Sequence, residues 1–159
     1  RGNDRLEAVL SRTIQVDGLD ATETLQEMLD GTRQQQIQAV LLDGITFGGF
    51  NIVDIHALHD ASGLPVIAFN RDRPDREQVY DALEHLPDSR QRKELVRKAG
   101  RFHEMQLNGR TVHIQIAGTE PTTAEDIITT STQEATLPEP LRTAHLIGTG
   151  ISTGESRGT

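Results

Sequence analysis

Cysteine and tryptophan are absent from these 159 residues, tyrosine occurs once, and aromatic residues make up 3% of the chain. Without thiols there are no disulfides, no thiolate nucleophile and no Cys-based zinc site, so any metal must rest on carboxylates or histidines. No stretch approaches the ~18 apolar residues of a membrane span. The opening RGNDRLEAVL also lacks the basic start and apolar run of a signal peptide. A soluble, cytoplasmic protein with no membrane partner is expected. GxGxxG, GxxxxGK and HExxH do not occur, and the GxSxG spelled by residues 150 to 154 lies in the C-terminal tail rather than after a buried strand, which leaves phosphate-cradling, nucleophile-elbow and zinc-protease readings unsupported. Lysine is scarce: Lys93 and Lys98 are the only two among 16 basic residues, against 24 acidic ones and a net charge of -8. Such an acidic, lysine-poor surface fits a halophilic archaeal protein. It argues against binding nucleic acid along a long backbone, which rests on clustered positive charge, but leaves a small local site open.

What the chain does contain is the alternation of an α/β domain. Residues 8 to 16 have the two-residue period of a half-buried strand. The stretch DGLDATETLQEML predicts a helix over 21 to 35 opened by a capping box of Asp20 and Glu23. IQAVLLD, 37 to 43, is a continuous apolar run and predicts a parallel central strand. Asn51 is placed to cap a helix over 52 to 61 that ends at Gly63, and LPVIAFN predicts a second buried strand over 64 to 70. Helices follow over 75 to 86 and 89 to 100, then strands around 101 to 107 and 111 to 117 joined by the hairpin signal Asn108-Gly109. A threonine-rich helix in 122 to 133 and a helix over 139 to 148 with proline in its first turn complete the pattern. Residues 149 to 159 read as a flexible tail of a single domain spanning 1 to 159.

The residues able to carry chemistry gather around two segments. Asp43 ends a buried strand and precedes a glycine, so its carboxylate is expected at the carboxyl edge of the sheet, where open α/β folds place ligands. Asp20, and more weakly Asp17, lie just before the preceding helix. Hard carboxylate oxygens of this kind suit Mg²⁺ or Mn²⁺ and a phosphodiester. The structural alternatives are a helix cap for Asp20 and an ordinary turn at Asp43-Gly44. In GITFGGFN, Gly48 and Gly49 let a backbone approach a ligand, and Phe47 and Phe50 can stack on a base or else cover the core. Arg71 and Arg73 follow the second buried strand and can fork a phosphate or pair with Asp72 and Asp75. His56 and His59 share a helix face without an evident third ligand, and His145 reads as a packing or surface residue.

The segments VDGLDATETLQEML, LLDGITFGGFNIVDI, GLPVIAFNRDRPD and LPEPLRTAHLIGTGISTGESRG together resemble the archaeal endonuclease dU family, over nearly the whole chain. Endonuclease V is similar more distantly, with counterparts at Asp20, Asp43-Gly44, Arg71 and Pro138 to Arg142. The resemblance implies a ribonuclease H-like fold, a mixed sheet flanked by helices, with a carboxylate metal site. It also implies an earlier strand with a Gly-Ile-Asp-Asp-Gly-like motif supplying the first metal ligand. This chain begins after that motif, so it is expected to be N-terminally incomplete and weakly active or inactive. Two departures are visible: where endonuclease V carries histidines, this chain reads ITFGGFN and IAGTEP.

The function that follows is a Mg²⁺- or Mn²⁺-dependent endonuclease cutting phosphodiester bonds in damaged or deaminated nucleic acid, DNA more than RNA, in the manner of DNA repair. Asp43, Asp20 and Asp17 would be its metal ligands and Arg71 would lie at the scissile phosphate. Phe47, Gly48, Gly49, Phe50 and Arg73 would meet the substrate. The alternative is a nucleic-acid or nucleotide binding module of the same fold without catalysis.

Overall fold

The computed structural model describes residues 6–32, 36–133 and 136–156. Its centre is a mixed four-stranded sheet. Strand β1 is Val40–Asp43, β4 is Val66–Asn70, β5 is His103–Leu107 and β6 is Arg110–Ala117, in the order β1-β4-β6-β5. β1 and β4 run parallel with Asp43 opposite Phe69, whereas β6 is antiparallel to both β4 and β5. A small antiparallel ribbon, β2 (Thr46–Phe47) and β3 (Asn51–Ile52), lies between β1 and the helix α2 (Ile55–Ser62) that crosses over to β4.

Alternation along the strands builds a core on each face, as two-sided burial requires. Ile67, Phe69, Val112 and Ile114 pack on one face with Ala124 and Ile128 of α5 (Pro121–Thr130) and Leu141 of α6 (Glu139–Thr153). Leu42, Val66, Ala68 and Ala117 pack on the other with Ala21 of α1 (Ala21–Asp30) and with Ile55 and Leu58 of α2. A third cluster, Ile52, Leu83 and Val96, seats the pair α3 (Arg76–Glu84) and α4 (Ser89–Lys98) over the ribbon. The mixed α/β sheet flanked by helices agrees with the expected class.

Several local expectations need correction. Residues 8 to 16 form no strand: among the described residues β1 pairs only with β4. An alternating segment with no partner leaves its amides to water, and Leu6, Val9 and Val16 stand 62%, 49% and 78% exposed. For the same reason β1 is an edge rather than the centre; β4, buried along Val66 to Phe69, takes that place. The helix read over 21 to 35 ends at Asp30, and residues 33 to 35 lie outside the described residues. Asp20 forms no capping bond; Asn51 Oδ1 accepts from the Ala21 N–H at 3.0 Å instead. Asn51 therefore serves α1, while α2 starts at Asp54, whose carboxylate accepts from His56 and Ala57. α6 continues to Thr153, closed by Gly154 at φ +83°. The Asn108-Gly109 turn has positive φ at both residues, +48° and +79°, as a tight hairpin of the β twist demands.

Candidate active site

Two neighbouring regions hold the residues singled out by the sequence. The first is a junction between loop 15–20 and the ribbon. Asp17, itself at φ +51°, accepts the Phe50 N–H on Oδ1 at 2.8 Å and donates its own N–H to Gly48 O at 2.8 Å. A Cβ on Gly49, at φ +84°, would collide with that Asp17 carboxylate, so the close approach this glycine permits is to Asp17. Asp20 accepts the Gln15 N–H at 3.2 Å and the Asn51 Nδ2–H at 2.5 Å. The Asn51 bond holds the Asp20 carboxyl below the usual carboxylate range; burial opposes it, and the Gln15 bond adds a smaller lowering.

Arg92 of α4, 2% exposed, closes the junction from beneath. Its guanidinium donates to four carbonyls: Pro87 at 2.9 Å, Gly18 at 2.9 Å, Phe50 at 2.6 Å and Asp17 at 2.5 Å. A buried cation without a carboxylate partner is tolerable only when its donors are satisfied in this way. Nearby, Lys98 binds Asp54 at 2.6 Å. Burial raises the Asp54 pKa, but the hydrogen bond from Lys98 and those from the α2 amides outweigh it and the net shift is downward.

The second region is the carboxyl edge of the parallel strands. Asp43 is exposed at the end of β1, and among the described residues its carboxylate enters no hydrogen bond or ion pair. The ladder continues one step past it, Gly44 N–H to Phe69 O at 2.8 Å. Strand alternation sends the Asp43 side chain to the face opposite Leu42, because Leu42 belongs to the α1/α2 core. Beyond Asn70 the chain turns outward through Arg71, Arg73 and Arg76, all exposed. Arg73 faces Glu104 at 3.9 Å, and Arg76 donates to Gly100 O at 2.5 Å. Asp75 is used as the cap of α3, accepting from Glu77 and Gln78, rather than as a partner of the arginines. Arg73, Arg76 and Arg101 with Phe102 border an open depression of about 470 Å³. The acidic protein therefore carries a local arginine-rich edge here. Next to it a narrower cleft of about 100 Å³ opens between Phe50 and Phe102, with Asn70 and Gln115 on its wall.

The structure distributes the expected residues unevenly. Asp17, Asp20, Gly48 and Gly49 meet in the junction, whereas Asp43, Arg71 and Arg73 lie on the strand edge. Phe47 packs against the core beside α1 and α2, and Phe50 lines the cleft. His59 is structural: its Nδ1 meets Leu64 O at 2.8 Å, and its ring fills the space over Gly118. His145 is exposed on α6. Among the described residues no three His, Asp or Glu converge on one point. Of the three aspartates singled out by the sequence, Asp43 is the one whose carboxylate is bonded to no described residue. That fits Mg²⁺ or Mn²⁺ as one of the one or two carboxylates such ions take beside water and substrate phosphate. Asn70, Gln115, Phe102 and Arg92 escape sequence reading. The available signal was the run VHIQI, where polar residues occupy one side of a strand whose other side is wholly apolar.

The family model of endonuclease dU matches residues 1–152. A UPF0215 protein of Methanothermobacter thermautotrophicus is 45% identical over 161 residues, covering 100% of this chain and 78% of that protein. A solved structure of a protein of unknown function from Archaeoglobus fulgidus superposes with a TM-score of 0.83 at 37% identity, over 89% of this chain and 80% of that one. Endonuclease V of Ciona intestinalis, in complex with an inosine-containing DNA, aligns at a TM-score of 0.47 and 15% identity over 86% of this chain and 65% of that one, a likeness too slight to carry an argument. Among the described residues no helix is long and apolar enough to cross a membrane.

Proposed function

Since the chain belongs to the endonuclease dU family, we propose that it is a divalent-metal-dependent nuclease that hydrolyses phosphodiester bonds in deaminated nucleic acid, DNA rather than RNA. The observation that carries this reading is the strand edge itself. Asp43 and Arg71, both exposed and bonded to no described residue, stand where the parallel strands β1 and β4 end, on an arginine-rich margin of an acidic protein, and a half-apolar cleft opens on the other face of the same sheet end. Arg71 is free to fork a phosphate, and its planar donors fix the orientation of the backbone. Asp43 would hold Mg²⁺ or Mn²⁺ together with that phosphate, and the bound ion would supply a Lewis acid and an activated water. Asp20 is held in the junction by Asn51 and Gln15 rather than standing on the edge, which makes Asp43 the stronger assignment and Asp17 the weakest. Phe50 supports a base taken out of the stack, as lesion-reading enzymes require, and Arg73 widens the basic margin beside it.

The test is incision of uracil- or hypoxanthine-containing strands with Mg²⁺ by the full-length protein and by its Asp43→Asn variant. Incision that depends on the metal and on Asp43 supports the proposal, and equal incision by both proteins overturns it. The engagement of Asp17 and Asp20 in the junction favours a second reading, a binding module without catalysis. Tight binding of the strands with no incision under any divalent ion selects it.

A further inference from the structure

The cleft at the carboxyl end of β4 contains a polar group that no described residue uses. Asn70 Nδ2 is buried and has no hydrogen-bond partner, and His113 Nδ1, opposite it across β4 and β6, is in the same state. Buried amide donors are almost always paired, and an unpaired one calls for a reason. One is the orientation of the amide, whose oxygen and nitrogen can exchange places. The other is a ligand. Gln115 lies diagonally across the same two strands and on the same face, since it opposes Ala68 while His113 opposes Asn70. Its Nε2 donates to Gly100 O at 3.2 Å. That bond fixes the Gln115 amide and leaves Oε1 as its remaining acceptor.

We propose that Asn70 and Gln115 are the specificity-determining residues of this cleft, reading the edge of a base seated against Phe50 and Phe102. The Asn70 amide donates to a ring carbonyl, and the Gln115 oxygen accepts from the adjacent ring N–H. A carbonyl beside an N–H is the edge created by deamination, in uracil from cytosine and in hypoxanthine from adenine. The parent bases present an amino donor and a bare ring nitrogen in those places, so the same pair of protein groups meets like with like. Site-built hydrogen bonds discriminate strongly because the wrong ligand leaves them unpaired. Thymine and guanine share the carbonyl and N–H edge, and their exclusion falls to the stability of their base pairs, which resist extrusion more than a mismatch does. This inference rests on the nucleic-acid reading of the same edge and adds to it the residues that choose the base.

The experiment is metal-free binding, in EDTA, of single strands identical except for one central deoxyuridine, deoxyinosine, deoxycytidine or deoxyadenosine. Wild type is expected to favour each deaminated base over its parent by on the order of tenfold, the discrimination typical of a paired base edge. Asn70→Ala should bring the ratios near one, and Asn70→Asp, which replaces the donor with an acceptor, should bring them to one or below, with binding of an abasic strand unchanged. In wild type the Asn70 side-chain amide ¹⁵N resonance should shift with deoxyuridine and not with deoxycytidine, which needs no variant. Ratios that survive Asn70→Ala with a motionless Asn70 resonance would mean a purely structural Asn70–His113 pair and overturn the inference, while the nuclease reading stands. A wild type that binds every strand equally also overturns the inference alone; a wild type that binds none overturns both.

Discussion

The junction and the strand edge are built from the same kinds of residues and end in opposite states. In the junction every group that matters is spent: Asp17 on the Phe50 amide, Asp20 on Gln15 and Asn51, Arg92 on four carbonyls. On the edge Asp43 and Arg71 are idle, and Asn70 Nδ2 is buried without a partner. Satisfied polar groups make structure, since each is worth most where its loss would leave a partner unpaired. Unsatisfied ones are carried at a cost and are where a ligand can be recognised. The difference separates three aspartates that are alike in sequence into two that hold loops and one that is exposed and bonded to no described residue.

Removing the keystone of the junction should have the largest effect on stability. Arg92→Met leaves four carbonyls without their donor, and a loss of about 3 kcal/mol or more is expected from urea unfolding. A loss under about 1 kcal/mol would show that the clamp is decorative. Asn51→Ala should follow at about 1–2 kcal/mol, because it removes the acceptor for the first amide of α1 and the donor to Gln15 O and Asp20. Stability unaltered by that change would detach Asn51 from the cap.

Asp20 should reveal itself through pH. Its carboxyl is held below the usual carboxylate value in the folded protein. The folded state therefore binds its proton less readily than the unfolded chain, and the stabilisation is complete above the ordinary carboxylate pKa. It drains away as pH falls through the lower, folded-state value. The acid limb of the stability profile in Asp20→Asn should be shallower than in wild type over that window, with the two curves parallel near neutrality. Parallel curves throughout would mean that Asp20 carries no folded-state shift.

Much of this architecture could be read from the chain, and the failures have a common origin. The buried run of β4, the Asn108-Gly109 hairpin and the Gly63 helix stop are local signals, and each lies where it was expected. The strand over 8 to 16 failed because alternation states a preference for a sheet but says nothing about whether a neighbour exists. Asn51 took the place expected of Asp20 at α1, and Asp54 the place expected of Asn51 at α2, because the partners of Asn51 lie about 30 residues away in sequence. In the site, the position of Asp43 followed from the end of an apolar run. The cleft did not, since Asn70, Phe102 and Gln115 are gathered by antiparallel register between strands more than 40 residues apart, and no local spacing encodes that.

The central claim is that the idle carboxylate at the end of β1, and not the acids of the junction, supports cleavage. Comparing Mg²⁺-dependent incision of a deoxyuridine-containing strand by wild type and Asp43→Asn tests it most directly. Asp43→Asn should fold with stability within about 0.5 kcal/mol of wild type, as an exposed substitution does, and should lose incision by on the order of a hundredfold or more, as removal of a metal-holding carboxylate implies. Undiminished cutting by a folded Asp43→Asn protein would contradict the account.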